Sequence, residues 1–142
     1  MKYMGSKSAI AKHILPIITK NRKPNQYFVE PFVGGCNSID KVLGNRIGGD
    51  INKYLIAFWK KIQSGWIPPE FISREHYSAV RESYNNQTDE FEDFHKGYIG
   101  FNGSYGSRFF DGGYAGITKT KLDTERNYPL EAFRNVCEQI PR

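Results

Sequence analysis

Apolar residues first recur at Ile10, Ile14 and Ile17, with Lys7 and Lys12 pointing elsewhere, a spacing that predicts a helix from Lys7 to about Ile18 capped by Ser6. Pro16 falls near its end, where it kinks or stops the helix. After a polar, turn-rich stretch from Lys20 to Gln26, the run Tyr27-Phe28-Val29-Glu30-Pro31-Phe32-Val33 is compact, apolar and β-prone, and it stops at Gly34-Gly35. That pattern predicts a buried strand feeding a glycine-rich turn. Asn37 or Ser38 caps a short helix through Leu43, and Arg46 to Gly49 leads to Asp50 as a second short strand ending in an acid.

The second half reads as helices broken by turns. Leu55, Phe58, Trp59 and Ile62 share one face of a helix that begins after Asn52 and closes at Gly65. Trp66-Ile67-Pro68-Pro69 then interrupts the chain. Ser73 caps a third helix with Tyr77, Val80, Arg81 and Tyr84 along one side, ending in Asn85-Asn86-Gln87. A further helix starts near Thr88 or Asp89, with Phe91, Phe94, Tyr98 and Phe101 as its apolar face. From Gly100 to Tyr114 glycines interleave with aromatics, and Asp111-Gly112 is a hairpin-turn signal. A basic loop carrying Lys119, Lys121 and Arg126 precedes a last helix from about Pro129 to Ile140, with Phe133, Val136 and Ile140 on its apolar side.

Length narrows the architecture: 142 residues suffice for one moderate core. An aromatic content of 15% argues against disorder. Twenty Lys and Arg against 15 Asp and Glu give a net charge of +5, a balance that suits a polyanionic partner. Cys36 and Cys137 stand about a hundred residues apart without CxxC or Cys/His spacing, so neither a disulfide framework nor a zinc site is suggested, and no metal is expected. The amino-terminal residues do not form a signal peptide and no apolar run approaches membrane-spanning length, which makes the cytoplasm the expected setting and excludes a membrane partner.

The candidate chemistry lies where the first strand meets its glycine turn. A strand that passes through a glycine turn into a helix aims backbone N–H groups at the crevice beside it, a place where adenosine-containing ligands are held. GxGxxG is absent, and so is any GxxxxGK[ST] phosphate loop, so NAD and ATP lose ground. Asp50, fifteen residues past Gly35, stands where nucleoside-binding domains place an acid for the ribose hydroxyls. The plain alternative is a loop aspartate that caps the helix after Asn52, and the spacing leaves both readings open.

Tyr3-Met4-Gly5-Ser6-Lys7, Phe28-Val29-Glu30-Pro31-Phe32-Val33-Gly34-Gly35 and Gly49-Asp50-Ile51-Asn52 resemble, in order and spacing, the opening motifs of the adenine-specific DNA methyltransferase family that includes the bacterial and phage GATC methylases. The resemblance implies an α/β fold: an incomplete Rossmann-like S-adenosylmethionine-dependent methyltransferase sheet with a mainly helical target-recognition insert and a β-hairpin. It implies cofactor binding over residues 1–65, the DNA-binding insert over 66–126, and a return to the methyltransferase domain over 127–142. Tyr3, Lys7, Phe32, Gly34, Gly35 and Asp50 are the implied S-adenosylmethionine contacts, with Lys7 near the carboxylate end of the cofactor and Asp50 on its ribose. Glu30 is expected to support the loop. Asn102, Ser104, Tyr105 and Arg108 resemble the segment that contacts double-stranded DNA, where rings wedge beside bases and arginine reads guanine edges or phosphates.

The family extracts adenine from the duplex and holds its amino group with an Asp-Pro-Pro-Tyr type motif. No such motif occurs here: Ile67-Pro68-Pro69-Glu70 lacks the flanking polar and aromatic residues, and Asn127-Tyr128-Pro129 also fails. No catalytic residue is therefore assigned, and the chain is expected to be a fragment whose partner is a complementary carboxy-terminal methyltransferase chain. The alternative is a catalytically inactive DNA- or cofactor-binding remnant.

Overall fold

The structure, a computed structural model, describes residues 1–140. The last two positions of the 127–142 segment lie outside the described residues. Helix α1 (Ser8–Ile18) has Lys7 at its N-cap and no side-chain cap; Ser6 Oγ, the expected cap, accepts from the Ser8 N–H at 3.2 Å and from Asn37 Nδ2 at 2.9 Å. Pro16 lies inside the helix without ending it. The expected Ile10 and Ile17 face outward instead, and Ala11 and Leu15 are buried against Val42 and Phe28. A helix apolar around most of its circumference has no single inner face, so its neighbours select one.

Strand β1 (Phe28–Glu30) runs parallel to β2 (Arg46–Gly48), with Phe28 opposite Arg46 and Glu30 opposite Gly48. The expected seven-residue strand is cut short at Pro31, which has no N–H for the ladder. Between the strands only a single 3-10 turn forms (Ile39–Lys41) where a short helix was expected. Arg46 collars that turn, its Nη1 donating to the carbonyls of Ile39, Asp40 and Val42.

Side-chain caps start the next two helices as their sequences dictate. Asn52 Oδ1 accepts from the Leu55 N–H at 3.1 Å at the head of α2 (Lys53–Gln63), and Ser73 Oγ accepts from the His76 N–H at 3.1 Å at the head of α3 (Arg74–Asn85). Helix α4 (Asp93–Asn102) begins later than expected, leaving Phe91 outside it. Every residue from Lys96 to Asn102 is buried, so α4 is a central helix rather than a one-faced one. Lys96 reaches out of it to the Thr88 carbonyl at 2.5 Å, and His95 Nε2 meets His76 Nε2 of α3 at 2.8 Å.

After α4 the chain makes a compact loop closed by the Ser104–Tyr114 bridge, and then an antiparallel hairpin of β3 (Ile117–Lys119) and β4 (Glu125–Asn127). The hairpin therefore lies beyond Asp111-Gly112 and encloses the expected basic loop. Helix α5 (Tyr128–Cys137) follows at once, capped by Asn127 and with Pro129 in its first turn. Its buried side is Pro129, Ala132 and Val136, with Phe133 only half-buried. One core joins Met1, Leu55, Phe58, Ile72, Tyr77, Tyr98, Phe110 and Val136, so segments distant in sequence share it. Among the described residues no helix is long and apolar enough to cross a membrane.

The closeness of α2 and α4 rests on a glycine. A Cβ at Gly97 would overlap the Tyr54 carbonyl of α2, and one at Gly100 would overlap the Phe109 ring. Gly97→Ala gains about 1 kcal/mol of helix propensity. Forcing two backbones apart costs about 1–3 kcal/mol or more, so the net effect is destabilising. Thermal denaturation is expected to show a lowered melting temperature for Gly97→Ala; an unchanged or raised one would contradict this packing.

Candidate functional site

The paired strands deliver two loops to one place. The ladder continues past their ends, with the Gly49 N–H donating to the Glu30 carbonyl at 2.9 Å and the Val33 N–H to the Gly49 carbonyl at 2.8 Å. Gly34 follows with a φ of +49°, a left-handed conformation that favours glycine. Its N–H donates to Asp50 Oδ2 at 3.0 Å, while Asp50 Oδ1 accepts the Asn52 N–H at 3.0 Å. Asp50 thus stands just past the end of β2 and braces both the glycine turn and the entrance to α2. Each carboxylate oxygen keeps a further lone pair. From α2, Trp59 Nε1 donates to the Gly34 carbonyl at 3.0 Å and fixes the turn from the other side.

The amino-terminal segment lies against the inner face of that turn. A Cβ on Gly34 would come within 2.7 Å of Tyr3 Cε1, and one on Gly35 within 2.8 Å of Tyr3 Cβ, so both glycines are required by the approach of Tyr3. The Tyr3 ring also packs on Phe101, with centroids 5.5 Å apart. Lys7 Nζ donates to the Phe32 carbonyl at 3.0 Å and pairs with Glu30 Oε1 at 3.1 Å. Glu30 is only 7% exposed, and its Oε2 is buried without a hydrogen-bond partner. Burial first, then the neighbouring Glu30 carboxylate, pushes the Cys36 thiol up to about 12, so it remains protonated and unreactive at neutral pH.

The outer face of the strand ends is open. Phe32 is 76% exposed and Ile51 99% exposed, in the loops that follow β1 and β2. Exposed apolar side chains and a fixed carboxylate have the chemistry that a base and a ribose diol call for. A small cavity of about 10 Å³ lies between Tyr3, Lys7, Gly34 and Asn37. Tyr3, Lys7, Phe32, Gly34, Gly35 and Asp50 are therefore brought together around the turn. Sequence reasoning missed Ile51 and Trp59 as parts of the site. The signal for Ile51 was an apolar residue placed between the acid and the Asn52 cap, outside any helical repeat.

A separate cleft of about 450 Å³ opens behind Tyr3, lined by Ser6, Asn37, Asp40, Ser107, Asn135 and Gln139 among others. It contains neither Gly34 nor Asp50.

The loop after α4 departs from its expected role at two positions. Asn102 is 4% exposed; its Nδ2 donates to the Tyr98 carbonyl at 3.1 Å, and its Oδ1 is buried without a partner. Ser104 is equally buried, its Oγ accepting from the Phe110 N–H at 3.0 Å and sharing a hydrogen bond with the Tyr77 hydroxyl at 3.0 Å. These two side chains hold the loop from inside and do not face a duplex. Phe101 and Phe110 are likewise interior, and Tyr114 is tied to the Ile72 carbonyl at 2.6 Å. Tyr105 and Arg108 do reach the surface. The Tyr105 ring packs on Tyr128 at 5.0 Å, Arg126 lies over Tyr128, and Arg126 together with Lys2 holds Glu131 down to about 2. On the hairpin, Lys119 pairs with Asp123 at 3.3 Å, and Lys121 is exposed in the turn between β3 and β4.

Among the described residues no group of three or more His, Cys, Asp or Glu side chains is placed to hold a metal ion, and both cysteines are unpaired. None of the curated proteins matches the chain. A family model described as D12 class N6 adenine-specific DNA methyltransferase matches residues 3–136, a span that takes in the amino-terminal segment, the glycine turn, Asp50, the loop after α4 and most of α5. The chain belongs to the D12 class N6 adenine-specific DNA methyltransferase family.

Proposed function

We propose that this chain is the cofactor- and DNA-holding portion of an enzyme that transfers a methyl group from S-adenosylmethionine to the N6 amino group of adenine in double-stranded DNA. The observation that carries the reading is Asp50, oriented by the N–H groups of Gly34 and Asn52, with the exposed side chains of Phe32 and Ile51 in the same two loops. S-adenosylmethionine, when bound, supplies an electrophilic methyl group. The chain's own residues do the holding: Asp50 accepts from the ribose, Phe32 and Ile51 cover the base, and Tyr3 seals the glycine turn. In this reading residues 1–65 form the cofactor part of a Rossmann-like methyltransferase domain, 66–126 the target-recognition insert, and 127–142 the return to that domain. Tyr105 and Arg108 face the duplex.

The acceptors for the adenine amino group come, in this reading, from a complementary methyltransferase segment with the Asp-Pro-Pro-Tyr type motif that these 142 residues lack. The edge of β1 supports it: among the described residues β1 pairs only with β2, and Val29 on the strand is 60% exposed. A parallel pair of strands is ordinarily covered on both faces, and so exposed a pair calls for further sheet. The second reading, an inactive remnant that still binds cofactor or DNA, rests on the same missing motif.

Three measurements follow. Ile51→Asp, at a side chain with no folding role, is expected to leave the melting temperature unchanged and to weaken S-adenosylmethionine binding by roughly tenfold in calorimetric titration; unchanged affinity would remove the base-covering role. Arg108→Ala is expected to weaken duplex binding and lower the slope of log affinity against log salt by about 1, with cofactor affinity kept. Loss of binding with no change in that slope would place Arg108 away from phosphate. Supplying in trans a family segment that carries the motif is expected to produce N6-methyladenine in duplex DNA. Continued inactivity of a complex that binds both cofactor and DNA would favour the remnant.

A further inference from the structure

We propose that His76 and His95 form a proton-sensitive latch between α3 and α4, closed while no more than one of the two imidazoles is charged, and that opening it frees the loop carrying Tyr105 and Arg108. The latch stands on its own geometry; its effect on duplex binding rests on the DNA-binding reading of that loop.

The two rings meet nitrogen to nitrogen, with His76 Nε2 2.8 Å from His95 Nε2 and the ring planes at 81°. One nitrogen donates and the other accepts, so the neutral imidazoles are held in opposite tautomers. A first proton goes to an Nδ1 and leaves the bond in place. A second gives both Nε2 atoms a hydrogen, which removes the acceptor and sets two like charges in contact. Both rings are half-buried, and Phe91 stacks on His95 while meeting His76 edge to face.

Of the charges around the pair, Glu92 at the N-cap of α4 acts on His95 and favours its proton. Burial first, and then His76, outweigh it and hold His95 below the ordinary imidazole value. The neighbouring charged groups are engaged elsewhere: Lys96 with the Thr88 carbonyl, Asp93 with Lys53 of α2, Lys61 of α2 over the Phe94 ring, and Glu75 with its own N–H and the Ser73 hydroxyl. An imidazole held neutral in the folded chain stabilises it fully above the unfolded value of about 6.5, and that stabilisation is lost as pH falls below it. In acid the unfolded chain binds two protons at these positions where the closed latch holds one.

The DNA-facing loop is moored to the helix that the latch fixes. Tyr77 follows His76 directly; its hydroxyl shares a hydrogen bond with Ser104 Oγ at 3.0 Å, and its ring packs on Phe110 at 5.7 Å. Two turns further along α3, Tyr84 stacks on Phe110 at 5.1 Å. Phe110 has a φ of +57°, a conformation that a bulky residue keeps only where packing imposes it. Loosening α3 therefore removes the support of the loop from Ser104 to Phe110.

Imidazole NMR titration of the full chain reads the latch without any variant, with the exposed His13 as internal reference. His76 and His95 are expected to take up protons in two steps at least about one pH unit apart; a single common step would overturn the proposal. His76→Gln supplies an amide that bonds His95 in either charge state. Between about pH 6.5 and pH 5 the folding constant of wild type is expected to fall relative to this variant by up to about tenfold per pH unit, the signature of one net proton, and parallel pH profiles would contradict that. Should His76→Gln fail to fold, His95→Gln makes the same comparison from the other helix. Over the same range, exchange at the Phe110 amide and binding of a mixed-sequence duplex at constant salt follow the loop. Wild type is expected to lose protection and affinity relative to the variant by roughly tenfold, and equal losses would overturn the link to the loop. If wild type binds no duplex, the DNA-binding reading falls alone, and the titration and exchange results still decide the latch.

Discussion

Helices α2 and α4 meet backbone to backbone where Gly97 passes the Tyr54 carbonyl, and both faces of the molecule are hung from that contact. Helix α2 begins at the Asp50-Ile51-Asn52 corner and sends Trp59 back to the glycine turn, so it is fixed to the strand ends at two points. Helix α4 runs directly into the loop that carries Tyr105 and Arg108. With no side chain between them, the two helices set the distance from crevice to loop. Interiors packed this closely transmit displacement instead of absorbing it. A methyltransferase needs that rigidity, because a base and a methyl donor held by different loops must meet within bonding distance.

The meeting of the glycine turn with Asp50 was legible because it is local. A strand ending at Gly34-Gly35 and an acid at position 50 are adjacent in space as soon as two short strands pair in parallel, and Asn52, Ser73 and Asn127 cap helices by rules that span only a few residues. Where burial depends on distant partners, pattern alone misleads. The inner face of α1 was chosen by Val42 and Phe28, not by the isoleucine repeat. Asn102 and Ser104 have the right chemistry for DNA, yet α4 is surrounded on all sides and the loop folds back over it, leaving their polar atoms to serve the loop's own backbone. The aromatics interleaved with glycine there proved to be largely interior for the same reason: the glycines admit ring-to-backbone contact. Gly97 carried no sequence signal beyond being a glycine inside a helical repeat.

Charge is unevenly placed. At the crevice the carboxylates of Asp50 and Glu30 are each held in one orientation, the first by two backbone N–H groups and the second by Lys7. Groups oriented before a ligand arrives do not have to be reorganised when it binds, which favours tight and specific recognition. Along the chain, residues 1–65 carry 11 Lys and Arg against three Asp and Glu, and residues 66–142 carry nine against 12, so the net charge of +5 comes from the first segment.

The central claim is that a nucleoside binds on the outer side of the β1 and β2 ends, between Phe32 and Ile51. Amide chemical-shift mapping with S-adenosylhomocysteine tests it most directly. The expected result is a set of large shifts confined to Gly34, Gly35, Asp50, Ile51 and the first turn of α2. Shifts clustered instead at Asn37, Ser107 and Asn135, around the cleft behind Tyr3, would contradict it.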